Sequence, residues 1–577
     1  MKLLWKYFDG YKKELVLGPL CKLAEAVLEL FIPLLMAQIV DVGIPAGDGG
    51  YVLKMGGFML LFGAVGLCCA LVCQYYAALA GHGFGQGLRN GLFKKIMTFS
   101  GAETEAFGAD SLITRLTGDV TQLQNGVNMF IRLAVRAPFL TVGSLIMAFV
   151  ISPPVGCLFL AALLVIALIL FFIMRRSVPH YLELQKRQDV LTRLTGENLE
   201  GARVIRAFCR QQEQAEAFDE AGGAAADTAV RIGRLAGLLN PLTYAVANLA
   251  IIGIVWMGAG YADSGVLENG QIIALVSYMT QTLLVLIVFA NLVTLFTKAF
   301  ASAKRIVQVL ETEPAVREGT GGENGEKDAA RLRFEKVDFS YPGGGGAALR
   351  DISFAAAPGQ TIGVIGGTGA GKSTLGRLIC RFYDVTAGRV LVDGTDVRAM
   401  PLEALRGKIG YVPQGASLFR ASVRENIRFG KDDATEEEIW AALRTAQAAE
   451  IVEKWEDGLD TQVAEGGKNL SGGQRQRFTI ARALVRKPAL LILDDAASAL
   501  DYATDAALRR ALRSDLAGTT VLMISQRAAT IKNADLILVL DDGELAAAGT
   551  HEELLQASPL YREICVSQKL VEEEGAL

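Results

Sequence analysis

Residues 361–382 read TIGVIGGTGAGKSTLGRLICRF. Thr361–Ile365 has the composition of a short buried strand, and Leu375–Phe382 that of a helix. Between them Gly366-Gly367-Thr368-Gly369-Ala370-Gly371-Lys372-Ser373-Thr374 fits the pattern G-x-x-x-x-G-K-[ST], in the strand–loop–helix setting that gives the pattern its meaning. The glycines let backbone N–H groups come close to phosphate oxygens, and the helix N-terminus adds the positive end of its dipole. Lys372 supplies a point charge for the outer phosphates, and the Ser373 hydroxyl reaches a Mg²⁺ ion. ATP and Mg²⁺ are therefore the expected ligands of this stretch. About 120 residues later Leu490-Leu491-Ile492-Leu493-Asp494 reads as a second buried strand with a carboxylate at its tip, placed to hold the same Mg²⁺.

The rest of the chain has two characters. At 577 residues it is too long for one domain, and roughly three or four are expected. Up to about residue 300 long apolar stretches dominate; beyond that the pattern is that of an α/β protein. The net charge of −4 makes a broad basic surface unfit as an explanation, so no nucleic-acid partner is expected. The eight cysteines show neither disulfide nor zinc spacing. Met1–Lys13 lacks the apolar core and cleavage site of a leader peptide, so the first span itself is expected to direct insertion.

A membrane helix needs about 20 mostly apolar residues. Six stretches qualify: 14–41, 54–81, 132–152, 154–176, 240–262 and 270–297. The short connections at Gly43–Tyr51, Ser152–Pro154 and Tyr261–Gly270 contain no Lys or Arg, whereas the N-terminus and the connections 82–131 and 177–239 are rich in both. The positive-inside rule puts the latter, and both termini, in the cytoplasm. The long connections have helical periodicity, so the membrane helices are expected to continue well past the bilayer. Within the first span Lys22, Glu25 and Glu29 share one helix face. They read either as a polar strip lining a pathway or as a Lys22–Glu25 pair near the interface with snorkelling side chains.

Leu470-Ser471-Gly472-Gly473-Gln474, followed by Arg475-Gln476-Arg477, resembles the signature of ATP-binding cassette (ABC) proteins. With six spans ahead of it, the whole chain is similar to a half-size ABC exporter. The resemblance implies a six-helix all-α transmembrane domain with long intracellular helical loops, followed by an α/β P-loop NTPase domain. It implies domains at 1–312 (transmembrane), 313–330 (linker) and 331–577 (nucleotide-binding). Tyr341 matches the aromatic that stacks on adenine. Gln414, in Tyr411-Val412-Pro413-Gln414, matches the loop that touches Mg²⁺, which with Ser373 and Asp494 completes the implied metal set. Ser498-Ala499-Leu500-Asp501 matches the loop that communicates across a cassette dimer, and Glu465 the segment that meets the intracellular loops. Coupling helices are implied near 105–118 and 198–208, the second docking on a partner's cassette. In the family each ATP lies between one chain's P-loop and the other chain's signature.

Two positions depart from the pattern. The family places a Glu after Asp494 to polarise the attacking water; this chain has Asp495. The family places a His after the strand Thr520–Ser525; this chain has Gln526, which hydrogen-bonds but carries no cation and relays no proton. Catalytic groups misplaced by about 1 Å can cost on the order of 10²-fold in rate. Both hydrolytic positions are altered while the ATP-holding residues and the signature are intact. That combination resembles the subunit of heterodimeric bacterial multidrug exporters whose own ATP site is degenerate. Its expected partner is a second half-transporter with Glu and His at those positions and an altered signature. Embedded in the lipid bilayer of a bacterial plasma membrane, the pair would export a lipophilic or amphipathic compound. The alternatives are a homodimeric exporter, an importer of metal–chelate complexes on the same scaffold, and a regulatory subunit that binds ATP without transporting.

Overall fold

Apolar residues run far enough along the first half of the chain for each span to be one long helix. The computed structural model describes residues 2–319, 321 and 330–570. They divide into two units, Met1–Ile96 with Asp110–Thr312, and Met97–Ala109 with Glu313–Leu577.

In chain order the main helices of the first half are α1 (Lys12–Gln38), α2 (Gly49–Met97), α3 (Gly101–Phe107), α4 (Val120–Met129), α5 (Arg136–Ile151), α6 (Pro153–Glu200), α7 (Ala202–Ala207), α8 (Gln211–Gly237), α9 (Leu239–Asp263) and α10 (Asn269–Glu311). Six helical runs among the described residues are long and apolar enough to cross a membrane. The 49 residues of α2 and the 48 of α6 extend well past the spans at 54–81 and 154–176. At about 1.5 Å per residue each is roughly 70 Å long, more than twice a hydrocarbon core of about 30 Å. The turn between the third and fourth spans is a single extended residue, Ser152, because Pro153 can start a helix without needing its missing N–H.

In the first unit Leu140, Phe159, Ile254 and Tyr278 are fully buried, and the Tyr278 hydroxyl donates to the Leu30 carbonyl at 2.6 Å. Gly143 lets α5 approach α1, since a Cβ there would sit 2.5 Å from Leu30. The charged face of α1 is paired. Lys22 Nζ lies 2.7 Å from Glu25, and Glu29 lies 2.8 Å from Arg136 on α5. Pairing favours the second of the two readings for Lys22 and Glu25, and it gives Glu29 a partner that the helical-face pattern did not indicate. Further on, buried Asp119 accepts from Ser302 Oγ at 2.9 Å and Arg305 Nε at 2.8 Å, fixing the segment before α4 against α10.

The second unit contains two large sheets, besides a two-stranded pair of Ala421–Ser422 with Gln462–Val463. The strands of the two large sheets are β1 (Leu332–Phe339), β2 (Leu349–Ala356), β3 (Thr361–Gly366), β4 (Ala387–Val392), β5 (Thr395–Asp396), β6 (Ile409–Val412), β7 (Leu490–Asp494), β8 (Thr520–Ile524), β9 (Leu536–Asp541) and β10 (Glu544–Gly549). An antiparallel sheet has the order β2-β1-β4-β5, and a larger one β10-β9-β3-β8-β7-β6, parallel except for β10. Every residue of β7 and β8 is buried, which explains why they read as unbroken apolar runs and not as alternating ones.

Met97–Ala109 belongs to this second unit, and the short helix α3 lies at 101–107, earlier than the coupling helix expected near 105–118. A Cβ on Gly101 would lie 2.8 Å from the Tyr383 hydroxyl oxygen, so a larger residue here would have to displace the end of the Tyr383 ring. Glu103 accepts from the Ser100 N–H at 2.8 Å, the Ser100 hydroxyl at 2.7 Å and the Ala315 N–H at 3.0 Å. The start of the stretch expected as a free linker at 313–330 is therefore tied down. Glu318 also accepts from Leu402 N–H at 3.1 Å, while Thr320 and residues 322–329 lie outside the described residues. In the second long connection α7 is a separate short helix in the first unit, flanked by Leu199 and Phe208, each 74% exposed.

Burial disfavours the charged form of Glu103, but the bonds from Ser100 and Ala315 outweigh it and hold the carboxyl below the ordinary range. Such a group stabilises the fold above its unfolded pKa and loses that contribution as the pH falls through the folded value. Glu103→Ala removes a helix cap and a charge-assisted bond, together about 1–2 kcal/mol. Amide exchange over 101–107 is then expected to speed up by about tenfold, and in the parent chain to speed up only below the ordinary carboxylate range. Unchanged protection in the variant would contradict this account of the seat.

Candidate functional site: a nucleotide cavity and a separate signature

Strand β3 ends at the P-loop, and helix α11 (Lys372–Ile379) begins from it. Gly369 and Gly371 both adopt φ of +87°, a region open to glycine. A Cβ on Gly371 would also meet the Ala348 carbonyl oxygen at 2.7 Å. The loop curls so that Lys372 Nζ donates to the carbonyls of Gly366 at 3.0 Å and Gly367 at 2.5 Å. Burial lowers the pKa of this lysine, while the charges of Asp495 and Asp494 act in the opposite sense.

The parallel register sets Ile524 of β8 beside both Asp494 of β7 and Val364 of β3. Three strand ends therefore meet at one edge, the place where open parallel sheets bind ligands. Ser373 Oγ donates to Asp494 Oδ1 at 2.7 Å, and the Tyr411 hydroxyl donates to Asp494 Oδ2 at 3.3 Å. Burial pushes the Tyr411 hydroxyl well above its ordinary pKa, so it stays a donor. Tyr341 lies edge-on to Tyr383 at 5.2 Å, its hydroxyl 3.1 Å from Thr374 Oγ1 and accepting from Arg377 Nη1 at 3.2 Å.

Tyr341, Lys372, Ser373, Thr374, Arg377 and Asp494 border a cavity of about 360 Å³ that also includes Thr368, Gln414, Asp495 and Gln526. A glycine cradle, a buried lysine and a hydroxyl–carboxylate pair fit a triphosphate with Mg²⁺, an ion that takes oxygen ligands and is held through few protein groups. Lys372 and the loop amides would bind the phosphates, Ser373, Asp494 and Gln414 would face the metal, and Tyr341 the base.

Asp495 follows β7 with φ of +48°, unusual for a residue bearing a Cβ. Its N–H donates to the Ile524 carbonyl at 2.9 Å, and its carbonyl accepts from the Ser498 amide at 3.1 Å and hydroxyl at 2.7 Å. Burial and then the neighbouring Asp494 charge raise its carboxyl above the ordinary range. Gln526 follows β8. Its carbonyl accepts from Gln568 Nε2 at 2.8 Å, and Gln568 Oε1 in turn accepts from the Ala528 N–H at 2.8 Å.

The signature lies elsewhere. Ser471 caps helix α12 (Gly472–Leu484): its Oγ accepts from Gln474 N–H at 3.3 Å, while Gln474 Oε1 accepts from the Ser471 N–H at 2.9 Å. None of Leu470–Gln474 lines the nucleotide cavity. Gly473 instead packs on the Ser498–Asp501 loop, where a Cβ would sit 3.1 Å from the Ala499 carbonyl oxygen. Asp501 caps the next helix, α13 (Tyr502–Asp515), through Thr504. Arg377, Tyr411 and Gln568 were not singled out by motif. Tyr411 sits in a quoted motif and Arg377 one turn beyond Lys372, but nothing in sequence links Gln568 to Gln526.

An apolar helical unit able to cross a membrane, joined to a P-loop cassette with a separate helix-capping signature, defines an ATP-coupled membrane transporter subunit. Residues 15–287 match the family model of the ABC transporter transmembrane region, and residues 349–498 the family model described as ABC transporter. The chain is 38% identical to an uncharacterized ABC transporter ATP-binding protein of Mycobacterium tuberculosis, over 99% of this chain and 98% of the relative. It is 32% identical to the mitochondrial potassium channel ATP-binding subunit of Rattus norvegicus, over 99% of this chain and 81% of the relative. The solved structure of a bacterial Atm1-family ABC exporter with ATP bound superposes with a TM-score of 0.80 at 24% identity, covering both chains completely, and so shares the fold. The chain belongs to the ABC transporter family, as a half-size, multi-pass membrane member with the exporter fold.

Lys372→Ala is expected to weaken ATP binding by about tenfold or more, the scale of one charge-assisted contact. Titration with a fluorescent ATP analogue measures this; unchanged affinity would remove Lys372 from the site.

Proposed function

We propose that this chain is one subunit of a heterodimeric exporter in a bacterial plasma membrane, binding ATP at its own P-loop but hydrolysing it slowly. One observation carries the reading: Asp495 is pinned on both sides of its backbone, to Ile524 and to Ser498. The carboxylate therefore has no slack with which to recover the methylene that separates Asp from Glu. Gln526, at the other hydrolytic position, is held by Gln568 through its own carbonyl. Both changes fall on the cavity wall, while Lys372, Ser373 and Asp494 keep the geometry that holds Mg-ATP.

The partner's site is the one this chain completes. Ser471 and Gln474 form a full capping box, and the helix start beyond them presents N–H groups and a positive dipole end suited to a γ-phosphate. The exposed apolar flanks of α7, Leu199 and Phe208, fit a helix that docks on a second cassette. The apolar spans, in which Lys22 pairs with Glu25 and Glu29 with Arg136, suit a lipophilic or amphipathic substrate. The exporter fold supports outward transport. A second reading draws on the rat relative, named as the ATP-binding subunit of a channel. In that reading the chain would bind ATP and gate an associated pore without transporting.

Purified alone, the chain is expected to show weak ATPase, and co-purified with its partner much more. Vigorous transport-coupled hydrolysis by the lone chain would refute the asymmetric reading. In the pair, Ser471→Ala is expected to remove most hydrolysis, on the order of 10²-fold for a lost transition-state donor. Asp495→Glu is expected to alter turnover, and an unchanged rate counts against the role given to this position. Uptake into vesicles with and without the partner separates export from the channel-subunit reading.

A further inference from the structure

A second cavity, of about 280 Å³, lies in the cassette unit and shares no lining residue with the nucleotide cavity. It is walled by α13 and by the short helix α14 (Ala528–Ile531) with the residues after it. Arg509, Arg510, Arg513 and Lys532 line it together with Thr530. Four cations around so small a volume repel one another and draw in an anion. Three acids lie on these elements: Asp505 pairs with Arg509 through Oδ2 at 3.2 Å, Asp515 accepts from the Thr445 hydroxyl at 2.8 Å, and Asp535 accepts the Thr361 N–H at 2.7 Å. Among the described residues Arg510, Arg513 and Lys532 make no ion pair.

Three buried polar atoms on these elements are left over, one of them the acceptor Oδ1 of Asp505 beside Arg509. Thr530 is 7% exposed and its hydroxyl has no partner, and Arg509 Nε is buried without one. Buried orphan groups are rare and ask for an explanation. The arginines are also anchored. Arg509 Nη1 donates to the Ala529 carbonyl at 3.1 Å, and Arg513 Nη2 donates to that of Asn533. Anchoring presents the remaining guanidinium N–H groups in fixed directions, as phosphate recognition requires.

We propose that this cavity binds a small phosphate-bearing anion of pyrophosphate size, clamped between α13 and α14. Arg510 and Lys532 take the phosphate oxygens, Arg509 stays held on Asp505 and the Ala529 carbonyl, and the Thr530 hydroxyl donates from within. The site has a position of consequence. Helix α13 starts at the Asp501 cap of the Ser498–Asp501 loop, and α14 follows Gln526. An occupant ties together the two segments that border the hydrolytic positions. The proposal is independent of how fast this chain hydrolyses ATP.

The test uses the full chain in lipid nanodiscs with its P-loop saturated by Mg-ADP, so that labelled pyrophosphate added in equilibrium dialysis cannot occupy that loop. One saturable pyrophosphate per chain is expected. Arg510→Ala with Lys532→Ala is expected to weaken it at least tenfold and Thr530→Val at least threefold, with ADP affinity unchanged. The scale is that of charge-assisted and neutral hydrogen bonds. Amide exchange over 526–535 is expected to slow on binding. Displacement of the label by a non-hydrolysable ATP analogue assigns the phosphate group to a nucleotide; its retention assigns it to free pyrophosphate. No saturable binding at millimolar pyrophosphate, or binding that survives the double variant, would overturn the proposal.

Discussion

The hydrogen bond from Ser373 to Asp494 depends on a register: β8 must lie between β3 and β7 with Ile524 beside both Val364 and Asp494. A slip of one residue would turn the inward face of each strand outward and carry the carboxylate away from the loop. Asp494 is 3% exposed, and a buried carboxylate without partners costs several kcal/mol. Ser373 and Tyr411 prevent that cost, so the P-loop, the β7 tip and the Tyr411 strand are each positioned by the other two. ATP binding is thus a property of the folded sheet and not of the loop by itself.

The same edge holds the two residues that depart from the family pattern. Asp495 is bound through its backbone to β8 and to the Ser498–Asp501 loop, and that loop packs on Gly473 of the signature. A continuous run of contacts therefore links Asp495, on the nucleotide cavity, to the signature surface proposed to complete the partner's site. An altered first site with an intact second one is a coherent device in this geometry. In the proposed pair, changing residue 495 touches one ATP, whereas changing residue 471 touches the other.

Much of this was legible in sequence, for physical reasons. The P-loop declares itself because close phosphate approach demands glycine at fixed spacing, and β7 because a strand buried on both faces must be apolar up to its functional tip. The six spans follow from bilayer thickness. The seat of helix α3 is not legible, because it depends on Tyr383 and Ala315, far away in the chain. The partner of Glu29 is on another helix, so the helical face alone did not reveal Arg136. Gln568 carries no motif, since it acts through backbone groups that any sequence has. The arginine-lined cavity was likewise silent, because Lys532 and the α13 arginines converge only once the sheet sets α14 against α13.

The central claim is that the ATP bound by Gly366–Thr374 is not the one mainly consumed. Vanadate traps the nucleotide product only at a site that has passed through hydrolysis. The direct measurement is to incubate the co-purified pair with a photoreactive ATP analogue and vanadate, irradiate, and determine which P-loop carries the label. The account predicts that trapped label is found on the partner's P-loop, and that Ser471→Ala in this chain abolishes it. Vanadate-dependent label found chiefly on Gly366–Thr374 of this chain would contradict the account.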